Sequence, residues 1–251
     1  MSEGRKKEES DRFFQLYFSP PSTSMSSKER QFFNAAQAGD LSIVKNLAAD
    51  STLNVSWQEP TQGFTAFNYA CFQGRESVVE FLLTLKNLDV MKPTAIAASP
   101  FFAACQNDHK EVAKLLLADR RIDVNKPTNT GTTPFFMACQ GCVEVVLLLL
   151  ADRIDVTRPL EGGSTPFLIA CQNGHKEVVS LLLAHPRIDV HKPMDTGSTP
   201  FLVACQQGHP EVVSLLLADP RIDANRPANW SHSFPYCLSE WSQGSGVAPP
   251  G

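Results

Sequence analysis

The chain has no apolar run approaching the roughly 20 residues that cross a bilayer. Its opening stretch, MSEGRKKEES, lacks the apolar segment of a secretory signal. It also lacks a basic excess. The 22 Lys and Arg are outnumbered by 26 Asp and Glu, for a net charge of −4, so binding to nucleic acid or to an anionic membrane loses its electrostatic basis. No phosphate-cradling glycine loop, G-x-S-x-G elbow or pair of CxxC motifs occurs in it. The expectation is therefore a chain with no catalytic residue, no cofactor and no metal, which is not an enzyme.

What is present is repetition. Ser164–Pro193 reads STPFLIACQNGHKEVVSLLLAHPRIDVHKP, and Ser198–Pro227 reads STPFLVACQQGHPEVVSLLLADPRIDANRP. Looser copies begin at Ser99, Thr133 and Thr65. The marker cysteines Cys71, Cys105, Cys139, Cys171 and Cys205 are spaced by 34, 34, 32 and 34 residues. A period of this size marks a stacked repeat array.

Each unit reads as two short helices and a turn. The Thr165 hydroxyl can cap a first helix, and Pro166 suits its first position. Phe167, Ala170 and Cys171 then form one apolar stripe. Gly174 supplies a left-handed stop. Glu177 opens a second helix with the stripe Val178, Leu181 and Leu182, which ends at His185-Pro186. Arg187–Lys192 is an extended return, and Met194–Gly197 is a turn with Asp-Thr-Gly near its tip. Helices this short are not stable alone. Each unit must bury its stripes against its neighbours, so stability is a sum of unit and nearest-neighbour contributions.

The words TPFLIAC…GHKEVVSLLL…DV resemble the ankyrin repeat, with its T-P-L-H-x-A, G-H and Leu-rich second helix. The resemblance runs from about Arg30 to Pro227. It implies an all-α repeat solenoid of helix-turn-helix units with extended turn connections. The family's T-P-L-H histidine is replaced by Phe102, Phe136, Leu168 and Leu202, so apolar packing is expected where the family has a hydrogen bond to the turn.

Taken in order, residues 1–29 are a polar tail expected to be disordered, with Arg12–Phe18 as a possible staple or binding motif. Six repeats follow, at 30–63, 64–97, 98–131, 132–163, 164–197 and 198–229. The first is degenerate, as a terminal unit should be, with Leu41, Val44 and Leu47 as its second stripe and Asp40, Lys45 and Asn46 on a soluble face. In the second, Ala97 stands where other repeats have Gly131, Gly163 and Gly197. Alanine avoids positive φ, so this turn is expected to differ in shape, with Ile96 exposed at its tip. The fourth repeat is two residues short, with gaps between Gln140 and Gly141 and after Asp152. It carries Leu147 where Ser180 and Ser214 stand elsewhere, and is expected to be the weakest joint.

The pattern stops at Trp230. Residues 230–251 are expected to be either a disordered tail or a frameshifted seventh repeat. One permitted coding of WSHSFPYCLSEWSQGSGVAPPG, read after dropping its first base, gives GATPFLIACQNGHKEVVSLLLA, in which 20 residues reproduce Thr165–Ala184. Without that repeat in frame, Val212, Leu215 and Leu216 are expected to be partly uncovered, leaving a monomer or a chain that associates end to end.

The pairs Cys105/His109, Cys171/His175 and Cys205/His209 invite a metal or nucleophile reading. Each pair lies in a different repeat, however, and the cysteine falls on the buried stripe while the histidine falls in the turn. A structural role follows. Asp123, Asp155, Asp189 and Asp223, also in phase, are read as anchors of the turn backbone. Five buried reduced thiols point to the cytosol, with the nucleus as an alternative.

The function this supports is a non-catalytic protein–protein interaction module. The resemblance implies that turn tips and first helices line a concave face that holds a protein partner. Ile96, Asn129, Thr130, Glu161, Met194 and Asp195 vary between repeats at expected exposed positions and are the candidate contacts. The acidic balance favours a basic partner. Two alternatives are a truncated targeting arm of a larger repeat-containing enzyme or signalling protein, and an inactive pseudogene product.

Overall fold

A computed structural model describes residues 28–151 and 154–222. Within them are twelve helices and no strand, one isolated bridge joining Gln58 and Thr65. The architecture is the all-α repeat solenoid expected. The chain forms two compact units, Met1–Thr130 and Gly131–Gly251.

The first unit holds α1 (Lys28–Ala38), α2 (Leu41–Ala48), α3 (Ala66–Phe72), α4 (Glu76–Leu83), α5 (Pro100–Gln106) and α6 (Lys110–Ala118). The second holds α7 (Pro134–Ala138), α8 (Val143–Leu150), α9 (Pro166–Gln172), α10 (Lys176–Leu183), α11 (Pro200–Gln206) and α12 (Pro210–Leu217). Helix α1 begins at Lys28, two residues before the expected start of the first repeat, and the Lys28 ammonium pairs with the Asp50 carboxylate. Arg12–Phe18, Asp223 and residues 230–251 lie outside the described residues.

First helices start as the sequence dictates. The hydroxyls of Thr65, Ser99, Thr133, Thr165 and Thr199 each accept a bond from the amide three residues on. Pro100, Pro134, Pro166 and Pro200 follow those caps, where no backbone donor is needed. First helices pack on first helices and second on second within each unit. The side chains of Phe67, Phe101, Phe135 and Phe167 are fully buried between them. Burying such a ring stabilises by roughly 1.5–3 kcal/mol, which is how short helices persist.

The second-helix stripe differs from the expected one. Val178, Val179 and Leu182 are buried, and Leu181 is half-buried. The helix also opens at Lys176, one residue early. A second helix touches both its own first helix and the neighbouring second helices, so adjacent positions are covered and the buried face is broader than one stripe. The same geometry corrects the end of the array. Val212 and Leu216 are buried at 1% and 0% exposure, with only Leu215 half-buried, because they face α10 and α11. In α2, the second helix of the first repeat, Val44 alone is buried, and Leu41 and Leu47 are half-buried.

Four marker cysteines are buried, and Cys205 is half-buried. Burial pushes the thiols of Cys71, Cys139 and Cys171 well above their usual range, so they stay protonated and inert.

Candidate functional site

The site is built on the turns that close each repeat. In the turn at Met194–Ser198, the Met194 amide donates to the Ser198 carbonyl at 2.9 Å, and the Gly197 amide to the Met194 carbonyl at 2.8 Å. Gly197 supplies φ 84°. The turn at Leu160–Ser164 repeats both bonds, at 2.9 and 3.0 Å. The Thr94–Ala98 turn repeats them again, at 3.1 and 2.9 Å, with Ala97 at φ 60°. The different turn shape expected at Ala97 is therefore absent. Stacking between tips imposes the left-handed residue whatever its side chain, and alanine carries the strain.

Within each unit, adjacent tips are tied backbone to backbone. Ala95 N–H donates to the Gln62 carbonyl at 2.8 Å and Asn129 N–H to the Ile96 carbonyl at 3.1 Å. In the second unit, Asp195 N–H donates to the Gly162 carbonyl at 2.9 Å. Gly163 is required for this approach, since a Cβ there would lie 2.9 Å from the Asp195 amide nitrogen and 3.0 Å from the Met194 Cα. The result in each unit is an edge of tips held together by backbone bonds.

Ile96 is 43% exposed at its tip, and Asn129, Thr130, Glu161 and Asp195 are exposed on theirs. Met194 is half-buried, because it sits in the seam against Gly163 and not at the summit. Glu161, Met194 and Asp195 come together around an open groove of about 510 Å³, floored by Gly162, Gly163 and Pro193, with Lys192 at its side. Ile96, Asn129 and Thr130 belong to the edge of the first unit. A neighbouring cleft of about 290 Å³ beneath the second edge is lined by Phe167, Arg187, Ile188 and Asp189 among others.

Several supporting residues escaped the sequence reading. Glu59 is 6% exposed, and its carboxylate accepts from the amides of Thr61 (2.7 Å), Gln62 (2.5 Å) and Phe64 (3.3 Å). Gln58 Nε2 bridges the carbonyls of Gly63 at 2.7 Å and Pro93 at 2.8 Å, joining two successive turns. Asn68 occupies the position of the family's T-P-L-H histidine. It completes a capping box with Thr65 and donates to the Lys92 carbonyl at 3.1 Å, so this repeat keeps a polar link to its turn. At Phe102, Phe136, Leu168 and Leu202 the position is buried and apolar, as expected.

The histidine positions are structural. His109 Nε2 lies 2.9 Å from the Phe72 carbonyl, and His209 Nε2 lies 2.9 Å from the Gln172 carbonyl, each in the preceding repeat. Arg75, in phase with them, makes the equivalent reach from Nε to the Gln37 carbonyl at 3.0 Å. Its 34-residue offset from His109 was the signal that identifies it. Asp123, Asp155 and Asp189 each accept the amide two residues on, at 2.9–3.0 Å, as turn anchors do. No group of three or more His, Cys, Asp or Glu is placed to hold a metal among the described residues. No helix there is long and apolar enough to cross a membrane.

A family model described as ankyrin repeats (3 copies) matches residues 88–160 and again 155–228. The chain belongs to the ankyrin-repeat family. Among curated proteins, no match to it was found. Ankyrin repeats generally mediate protein–protein interaction and are typically non-catalytic. The tied turns of this chain are the ankyrin hairpin tips, and its capped proline-led segments are the ankyrin first helices.

Proposed function

We propose that this chain is a non-catalytic adaptor that holds a protein partner along its tip edges and the adjoining first-helix face, the concave side in the ankyrin resemblance. The observation that supports this most directly is the tip architecture. Backbone bonds tie neighbouring tips together, and these ties do not depend on the side chains of Ile96, Asn129 or Asp195. The tips carry Ile96, Asn129, Thr130, Glu161 and Asp195, which differ from repeat to repeat while the helix caps and marker cysteines recur. A preorganised edge binds at low entropic cost. Ile96 supplies an apolar contact, while Glu161 and Asp195 beside the groove favour a basic segment. The buried, reduced thiols fit a cytosolic or nuclear setting.

The test is quantitative partner capture. Wild-type chain is compared with a tip variant, Ile96→Asp with Glu161→Lys and Asp195→Lys, and with Leu147→Ser on a second helix. Proteins retained by wild type and Leu147→Ser but lost from the tip variant support this reading. Equal retention by all three, in folded chains, refutes it. A second reading, the targeting arm of a larger enzyme or signalling protein, is favoured by the repeat that a shifted frame permits in residues 230–251.

A further inference from the structure

We propose that residues 230–251 are a seventh ankyrin repeat written out of frame, and that the end of the sixth repeat at Cys205–Gly208 is the seat of that repeat in a chain with two bases restored. Two independent observations meet at this point.

The first is in the genetic code. Tryptophan has one codon, TGG, so dropping the leading base forces GG at the start of the next triplet and hence glycine, whatever base follows. Trp230 and Trp241 are 11 residues apart. Gly163 and Gly174 are also 11 apart, as are Gly197 and Gly208. The tip and interhelical glycines of these two pairs, all at positive φ, therefore find their counterparts dictated by the tryptophans without any choice of codon. The remaining shifted triplets take their first base from the second base of one codon and their third from the first base of the next, which the amino acids present fix everywhere except at the serines and Leu238. One coding then reproduces Thr165–Ala184 in full.

The second is in the structure. Between the helices of a repeat, the left-handed glycine is roofed by the next repeat. A Cβ on Gly74 would lie 2.6 Å from His109 Nδ1, and one on Gly174 2.5 Å from His209 Nδ1. The corresponding Gly39 has Arg75 Cδ at 3.0 Å. Gly208 has the same conformation, φ 70°, but among the described residues nothing lies within 4 Å of its Cβ position. Cys205 is half-buried where its four counterparts are buried, and Gln206 and Gln207 are exposed. With one residue restored before the first glycine, the histidine of the shifted reading falls 35 positions after Gly208. That spacing separates Gly74 from His109 and Gly174 from His209. The position left open among the described residues and the shifted histidine coincide.

The nucleotide sequence decides the frame. The shifted repeat requires TCA at Ser239, GAA at Glu240, TCA at Ser242 and CAA at Gln243. Finding these, with at most one exception, supports the proposal. Two or more synonymous alternatives overturn it. The seat is tested separately by alkylating the folded chain and quantifying the Cys205 peptide by mass spectrometry. In a chain with the two bases restored and ending after the shifted alanine, Cys205 should react roughly tenfold more slowly than in the present chain, because its thiol becomes covered. An unchanged Cys205 rate, or a restored chain that melts below the present one, refutes the seating.

Discussion

The imidazole of His209 stands over Gly174, its Nδ1 2.5 Å from where a Cβ would be, while its Nε2 meets the carbonyl of Gln172 at 2.9 Å. One side chain thus closes the preceding repeat and leaves no room for any residue but glycine beneath it. Gly174→Ala should cost roughly 1–3 kcal/mol, from left-handed strain together with displacement of His209. Urea unfolding of both chains measures it. A loss below the error of the midpoint would show that the ring swings away freely.

Ala97 supplies the opposite case. It takes φ 60° in a turn whose counterparts use glycine, and the left-handed conformation costs an L-residue roughly 1–2 kcal/mol. Part of any gain is offset by the greater freedom of glycine in the unfolded chain. Ala97→Gly should therefore stabilise by up to about 1 kcal/mol, without altering the exposure of Ile96. A destabilised variant would mean that the Ala97 methyl packs usefully.

Burial holds the His109 imidazole below its ordinary value, with Arg75 adding to the effect and Asp108 and the Phe72 carbonyl opposing it. The unfolded chain then binds a proton more readily than the folded one. Its contribution is unpenalised above the unfolded value of about 6.5 and is lost as pH falls toward the folded value. Wild type should lose stability between pH 7.5 and 5.5, and His109→Gln should lose less over that interval. Parallel pH profiles for the two proteins would contradict this. The Asp119 carboxylate, held low chiefly by hydrogen bonding to the Arg121 guanidinium, acts only in a more acidic range.

Helix α8 separates surface from core within three residues. Leu147 is 52% exposed, and Leu149 is fully buried. Leu147→Ser should change stability by no more than about 0.5 kcal/mol, whereas Leu149→Ala should cost roughly 2–5 kcal/mol. Thermal unfolding of the two variants checks the contrast. A large loss for Leu147→Ser would mean that its exposure is not the solution state.

The sequence by itself determined the family, the period and the local grammar of each unit. Capping by Thr165, the helical start at Pro166 and the stop at Gly174 depend on short-range sterics and hydrogen bonding, which neighbouring residues specify. The in-phase cysteines and histidines likewise announced positions that recur because identical units stack identically. Tertiary structure decided what depends on the neighbouring repeat. It placed Ala97 in a glycine conformation, because the tie between Ile96 and Asn129 outweighs local preference. It buried Val179 in place of Leu181, since a second helix is covered from two directions. It drew Met194 into the seam, recruited Gln58, Glu59 and Asn68 to hold the turns, and placed no described residue over Gly208. Contacts between repeats join residues some 35 positions apart, and no local pattern of side chains encodes which of them will be strained, covered or left open.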